Sequence, residues 1–277
     1  MAGRAGLNRR AALTAAGLLA AAVVLAPYGV MLLTALKPEA ELRTTPPQLL
    51  PIDWRPQNFW TVVRDSDFRS WLQVSLVVAI TSTALVVVAA VPAAYFTARH
   101  RFAGRTAFLF LVLVSQMFAP TALVVGLYRE FFELGLINTY AALILVNAAF
   151  NLAFAIWILR AFFASIPREI EEAAAVDGCG PAGALWRVVL PVASPGIVTA
   201  AIFAFIAAWN EYIVALTLMT DAEMRPLTVG ITSYVTAYVQ HWDLLFAASV
   251  IAIVPVVVLF ALIEPYLVGG LTAGSVK

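Results

Sequence analysis

Six apolar runs recur along the sequence, at about residues 11–36, 71–98, 106–128, 141–163, 195–219 and 244–268. Each reaches the roughly 20 residues that a helix needs to cross the hydrocarbon core of a bilayer. Inside lipid every backbone N–H and C=O must pair within its own segment or a closed barrel, so uninterrupted runs of this length predict helices. Composition agrees, since 62% of the 277 residues are hydrophobic and 12% charged, against roughly 45–50% and 25% in soluble domains. The expected fold is an all-α membrane protein of six transmembrane helices forming a single domain over 1–277. The first run follows Arg4, Arg9 and Arg10, as a signal peptide would. It is longer than the roughly 7–15 residues of a signal core, which favours a first span.

The remaining residues exclude several classes of function. A net charge of +1, with arginines in short separated groups, gives no basic stripe for nucleic acid. Lys37 and Lys277 are the only lysines, and neither stands in a phosphate-binding glycine loop. His100 and His241 are far apart, no Cys/His group has metal-ligand spacing, and no serine sits in a G-x-S-x-G turn. Cys179, the single cysteine, has no partner for an internal disulfide. No catalytic machinery, metal or cofactor is expected on this chain.

Between the fourth and fifth runs lies a polar, helix-prone loop, Ser165 to Pro191. Pro167 suits a first helical turn, and Glu169, Glu171 and Glu172 oppose the positive end of a helix dipole. Ala173, Ala174 and Ala175 form a face of small residues that another protein can approach closely, and Gly178 supplies a stop. Pro181 then opens a second helical run, Ala182 to Val189, expected to end before Leu190-Pro191. A helix, a glycine turn and a helix are expected, with Pro167 to Asp177 as the docking element.

Glu172-Ala173-Ala174, Gly178, Val188 and Leu190-Pro191 resemble the EAA-x3-G-x9-I-x-LP loop of bacterial ABC importer permeases, with Val188 in place of isoleucine. The string I-P-R-E-I-E-E-A-A-A-V-D-G, the W-R-P-Q-N-F-W after the first run and L-G-L-I-N-T before the fourth are similar to the carbohydrate-uptake group, which includes the smaller membrane subunit of the maltose transporter. The resemblance covers nearly the whole chain. It implies a permease that forms half of a translocation pathway for a sugar or sugar-like solute. Its implied partners are a second homologous permease, two ATPase subunits carrying ATP and Mg²⁺, an extracytoplasmic substrate-binding protein and the lipid of a bacterial inner membrane. The loop residues Pro167, Glu171, Glu172, Ala173, Ala174, Asp177, Gly178, Leu190 and Pro191 would couple the chain to the ATPases. The glycine-rich end, Gly270, Leu271, Thr272, Ala273 and Gly274, is similar to a tail that reaches toward the ATPase pair.

Orientation follows from the short loops. The acid-free Arg99-His100-Arg101-Phe102-Ala103-Gly104-Arg105 and the arginine-rich N-terminus place both termini and the docking loop in the cytoplasm. The segments 37–70, 129–140 and 220–243 then face outward, the first with Trp54, Phe59 and Trp60 as interfacial anchors. Gln116 and Pro120 interrupt the third run and are expected to face protein. Within the fifth, Asn210 and Glu211 are candidates either for the substrate path or for pairing with a neighbouring helix. Asn147 and Asn151, one turn apart on the fourth, can meet sugar hydroxyls or join two helices. Two other readings are an ion-coupled secondary transporter, for which Glu211 is the one proton site, and a non-transporting membrane scaffold.

Overall fold

The computed structural model describes the backbone of residues 2–272 apart from 237 and 239, and the side chains of 12–262 with the same exceptions. The described residues are mainly helical, in the order α1 (Ala2–Ala35), α2 (Glu39–Leu42), α3 (Gln57–Arg64), α4 (Ser66–Arg99), α5 (Arg105–Ser115), α6 (Pro120–Glu133) and α7 (Tyr140–Ser165). There follow α8 (Glu169–Val176), α9 (Pro181–Ala184), a π-helical turn (Leu185–Val189), α10 (Leu190–Val192), α11 (Ser194–Trp209), α12 (Ile213–Leu218), α13 (Leu227–Gly230) and α14 (Trp242–Thr272). Four helical stretches are long and apolar enough to cross a membrane, within α1, α4, α7 and α14. Two bent pairs raise the number to six if each is one span.

Three runs expected as continuous helices are interrupted or extended. The third breaks between Ser115 and Pro120, and α5 and α6 are bent by 94°. Proline has no N–H and starts a helix more readily than it continues one, so Pro120 opens α6 instead of kinking a single span. The fifth run stops at Trp209 and resumes at Ile213. The sixth does not end near Val268 but continues through Pro265 and Gly269-Gly270 to Thr272.

The chain divides into two compact units. The first comprises residues 1–68 and 231–253, and its loop after α1 is ordered by polar groups turned inward. Asn58 is buried and donates to the carbonyls of Ala35 (3.0 Å) and Lys37 (2.9 Å). Buried Lys37 donates to Gln48 O, and Glu41 accepts from the N–H groups of Ile52 (3.1 Å) and Asp53 (2.8 Å). The expected anchors Trp54 and Trp60 are exposed, and Arg64 lies over the Trp60 ring at 4.9 Å.

In the second unit, residues 69–230 and 254–277, two apolar cores lie among the described residues. One joins Val86, Ala90 and Ala94 of α4 to Ile156, Leu159 and Phe163 of α7 and Ala200 and Ala204 of α11. The other joins Val74 and Val78 of α4 to Phe131, Leu143, Val146, Val214 and Leu218. Small residues let helix backbones approach closely where lipid supplies no hydrophobic drive. Close approaches occur at Gly230 of α13, where a Cβ would lie 2.1 Å from Cδ2 of Trp71 in α4, and at Gly196 of α11, where one would lie 2.4 Å from Cγ of Phe162 in α7. A side chain at Gly196 must push the phenyl ring, anchored near its own backbone, out of the interface.

Gly196→Leu should therefore destabilise the protein by about 1–3 kcal/mol or more, the usual cost of overpacking. Gly126 in α6 has no atom within 4 Å of where a Cβ would stand, so Gly126→Ala should be neutral or mildly stabilising. Thermal denaturation of both variants in detergent checks this, and equal midpoints would contradict the tight approach.

Candidate functional site

The loop between α7 and α11 carries the densest set of candidate residues. α8 begins with Glu169, Glu171 and Glu172 in its first turn, and Gly178, with φ of 85°, ends it in the left-handed region that glycine tolerates. Gly178 N–H donates to Ala175 O (3.1 Å) and Cys179 N–H to Ala174 O (2.9 Å), the paired bonds of a Schellman cap that satisfy carbonyls left open at the helix end. The second helical run does not stop before Leu190-Pro191 as expected. It widens into the π turn, where Leu190 N–H donates to Leu185 O, and passes through Pro191 to Val192. Proline lacks the donor an α-helical ladder needs there, and a wider turn accommodates the gap. A 74° bend then leads into α11.

The expected docking residues separate into two sets. Pro167, Glu172, Ala173, Asp177, Gly178 and Pro191 are exposed, and Leu190 is half-buried. Ala174 points the other way and is buried at 6% exposure within the chain's own fold. Its carbonyl accepts from Cys179 N–H in the cap, and α8 packs against α9 and the π turn. Glu171 is also turned inward. Its Oε1 lies 2.6 Å from Arg99 Nε at the end of α4, with side chains 19% and 7% exposed. Sequence reasoning missed Val176, an 88% exposed apolar residue at the end of α8 beside Asp177, and Trp186, 69% exposed on the π turn. Apolar exposure amid polar residues is the missed signal, and only the helix phase reveals it.

The break in α11–α12 gives Asn210 and Glu211 distinct surroundings. Glu211 Oε1 accepts from Val214 N–H (2.7 Å) and Oε2 from Ala215 N–H (2.9 Å). These are donors that the first turn of α12 would otherwise leave unpaired. Thr228 Oγ1 donates to the Glu211 carbonyl at 2.7 Å, tying α13 to the same break. The carboxylate thus caps a helix, and the expected contact to a neighbouring helix is made by its backbone carbonyl. Asn210 is exposed. On α7, Asn151 donates to Asn147 O (2.8 Å) and buried Asn147 to Leu143 O (2.9 Å), so both amides back-bond to their own helix. Gln116, at the break between α5 and α6, donates to Phe150 O at 2.9 Å, a protein contact as expected.

Asn138 also escaped the sequence reading. It has φ of 58°, and its Oδ1 accepts from the N–H groups of Thr220 (2.7 Å) and Asp221 (3.1 Å) while Nδ2 donates to Thr220 Oγ1 (2.7 Å). An apolar cavity of about 640 Å³ lies among α5, α6 and α7, lined by Leu111, Phe118, Leu127, Leu145 and Phe150. Its polar side chain, Ser115, donates to Val112 O, so it offers few groups for a hydroxylated solute.

Glu39, His241 and Asp243 converge with one ligand-type atom each inside 4.8 Å, a group invisible to sequence spacing. Both oxygens of Glu39 are engaged, by His241 Nδ1 (3.0 Å) and by Arg43, and these neighbours hold its carboxyl below the ordinary range. As it stands, Glu39 is held between Arg43 and His241. Of the expected tail contacts, Gly270, Leu271 and Thr272 form the last residues of α14, where side chains are not described. Ala273 and Gly274 lie outside the described residues.

Glu211→Ala should leave the N–H groups of Val214 and Ala215 without acceptors and cost about 1–3 kcal/mol, while Asn210→Ala should leave stability unchanged. Thermal denaturation in detergent separates the two. A stable Glu211→Ala protein would show that the cap is dispensable.

The profile of the binding-protein-dependent transport system inner membrane component family matches residues 90–272. The sulfoquinovosyl glycerol transport system permease protein SmoH of Agrobacterium fabrum is 38% identical over 252 residues, covering 89% of this chain and 87% of its own. The diacetylchitobiose uptake system permease protein DasC of Streptomyces coelicolor is 34% identical, covering 89% and 90%. The trehalose/maltose transport system permease protein MalG of Thermococcus litoralis is 35% identical, covering 80% and 81%. A chain of a bacterial ABC transporter involved in import of the acidic polysaccharide alginate superposes with a TM-score of 0.79 at 25% identity, covering 94% of this chain and 97% of that one. Helical spans, loop and relatives agree, and the chain belongs to the binding-protein-dependent transport system inner membrane component family, as a multi-pass permease of the bacterial inner membrane.

Proposed function

We propose that this chain is the permease subunit of an ATP-driven ABC importer, forming half of the pathway for a sugar or sugar-like solute. The observation that carries the reading is the α8 loop, a capped helix that shows Glu172, Ala173, Val176 and Asp177 to solvent between two spans. The transport substrates in the names of SmoH, DasC and MalG, all sugars or sugar conjugates, support the solute class. The partners are a second homologous permease, two ATPase subunits that bind ATP and Mg²⁺, and an extracytoplasmic binding protein that delivers the solute. A related alginate transporter in complex with its substrate-bound periplasmic protein supports the last of these. Both termini and the α8 loop lie in the cytoplasm, and the end of α14 reaches toward the ATPases.

ATP is hydrolysed on the partners, so the work of this chain is mechanical. Closure of the ATPase dimer displaces α8, and the attached spans move between inward and outward openings. An exposed valine next to Asp177 and one turn after Glu172 favours a partner cleft with an apolar floor and a basic rim. The secondary-transporter reading is disfavoured by Glu211, whose carboxylate is committed to two backbone donors.

Two variants test the contact. Val176→Arg should place a charge on the apolar part of the interface and weaken ATPase association about tenfold or more. Glu172→Ala removes a first-turn carboxylate worth about 0.3–1 kcal/mol to the helix, and should leave most complexes assembled but poorly coupled. Ala174→Trp is expected to unfold the loop from within, because its site is filled by the chain itself. Co-purification of ATPases with each variant is read beside ATP-driven uptake of labelled disaccharides into vesicles. Full ATPase recovery with Val176→Arg would remove α8 from the interface, and uptake driven by a proton gradient without ATP would overturn the importer reading.

A further inference from the structure

We infer that a buried ion pair, Arg99 with Glu171, makes the docking helix α8 and the spanning helix α4 one mechanical body. This inference rests on α8 being the ATPase contact and adds the route by which its displacement reaches the membrane. Arg99 is the last residue of α4 and Glu171 lies in the first turn of α8, so each charge also suits the helix end it occupies. Their side chains are 7% and 19% exposed and meet at 2.6 Å. No aligned hydrogen bond joins Arg99 Nε to Glu171 Oε1, so charge holds the pair. Tyr95, one turn back on α4, donates from its hydroxyl to Glu171 Oε2 at 2.8 Å, and Arg168 Nη2 donates to Arg99 O at 3.0 Å. Four side chains thus bind two helices that are separated by more than 60 residues of sequence.

The chemistry of the pair favours transmission over simple anchoring. A buried ion pair adds little net stability compared with apolar packing, yet loss of one member leaves the other charged and desolvated. Such a contact resists separation steeply. Beside the pair lies a cleft of about 370 Å³ lined by Tyr95, Arg99, Arg168, Glu171, Ala175 and Cys179, and Ile170 of α8 packs against the apolar core that includes Val91 and Ala94 of α4. The ion pair, with the Tyr95 and Arg168 hydrogen bonds around it, supplies the polar part of the junction. Arg99 and Glu171 are accordingly positioning residues for the coupling movement. Glu172 and Val176, facing out from the same helix, meet the partner.

The test uses the assembled complex in lipid vesicles with Cys179→Ser as background and nitroxide labels at Val88→Cys and Glu169→Cys. Both positions are exposed, the first on α4 and the second at the start of α8. Electron-electron resonance distances are read without nucleotide and after trapping with MgATP and vanadate. With the pair intact, one narrow distance should be found in both states. Glu171→Gln should broaden it without nucleotide and shift it on trapping, and the exchanged pair Arg99→Glu with Glu171→Arg should restore the single narrow distance. ATPase stimulation by the binding protein should fall about fivefold or more in Glu171→Gln, with ATPase subunits still co-purifying, and return in the exchanged pair. A narrow, state-independent distance in Glu171→Gln, or a state-dependent one in the parent protein, would overturn the inference. The nucleotide-free spectra need no ATPase contact. Equal widths there would sink the ion pair's role even with α8 docked, whereas ATPase recovery with Val176→Arg would sink the docking role alone.

Discussion

Backbone polar groups at membrane depth must find partners inside the protein, because lipid offers none. This chain breaks its helices repeatedly where a run of apolar residues alone would have continued them, and side chains repair the breaks. Glu211 supplies acceptors for two N–H groups where α12 restarts, and Thr228 occupies the carbonyl of Glu211 itself. Gln116 reaches from the break between α5 and α6 to Phe150 O. The π turn ahead of Pro191 accommodates the absent proline donor by lengthening one hydrogen bond to a five-residue span. Polar residues within the apolar runs are therefore read first as repairs, and only after that as groups facing a solute.

Much of the architecture is legible from the residues. Apolar length alone marks the helical stretches in α1, α4, α7 and α14, and Gly178 marks the end of α8, because few residues other than glycine tolerate its backbone angle. The breaks are not legible in the same way. Pro120 can kink a span or open a new helix, and local sequence does not distinguish these outcomes; packing of α6 against α12 favours the second. Pro265 and Gly269-Gly270 suggest an end to α14, yet helix persists past them.

At the candidate site, the sequence identifies the loop but not its inward and outward faces. Glu171 and Glu172 are adjacent acids with the same local role at a helix start, and a rotation of about 100° per residue sends one toward Arg99 and leaves the other in solvent. Ala174 and Ala173 divide similarly. The acid-free group after α4 is readable as a topological signal, but the partner that Arg99 takes lies more than 70 residues further along the chain, beyond what spacing rules can reach.

Phe162 stands one turn before the loop leaves α7, and Gly196 stands at the start of α11, where the loop returns. The ring occupies the space that a Cβ on Gly196 would need. The two roots of the loop are therefore fused, like the ends of a mug's handle where they meet the cup. Under the proposed docking role, a push on the handle meets a base with no room for α7 to close further on α11. On that proposal the push would turn or tilt the two helices together, with bending left to other parts of their length.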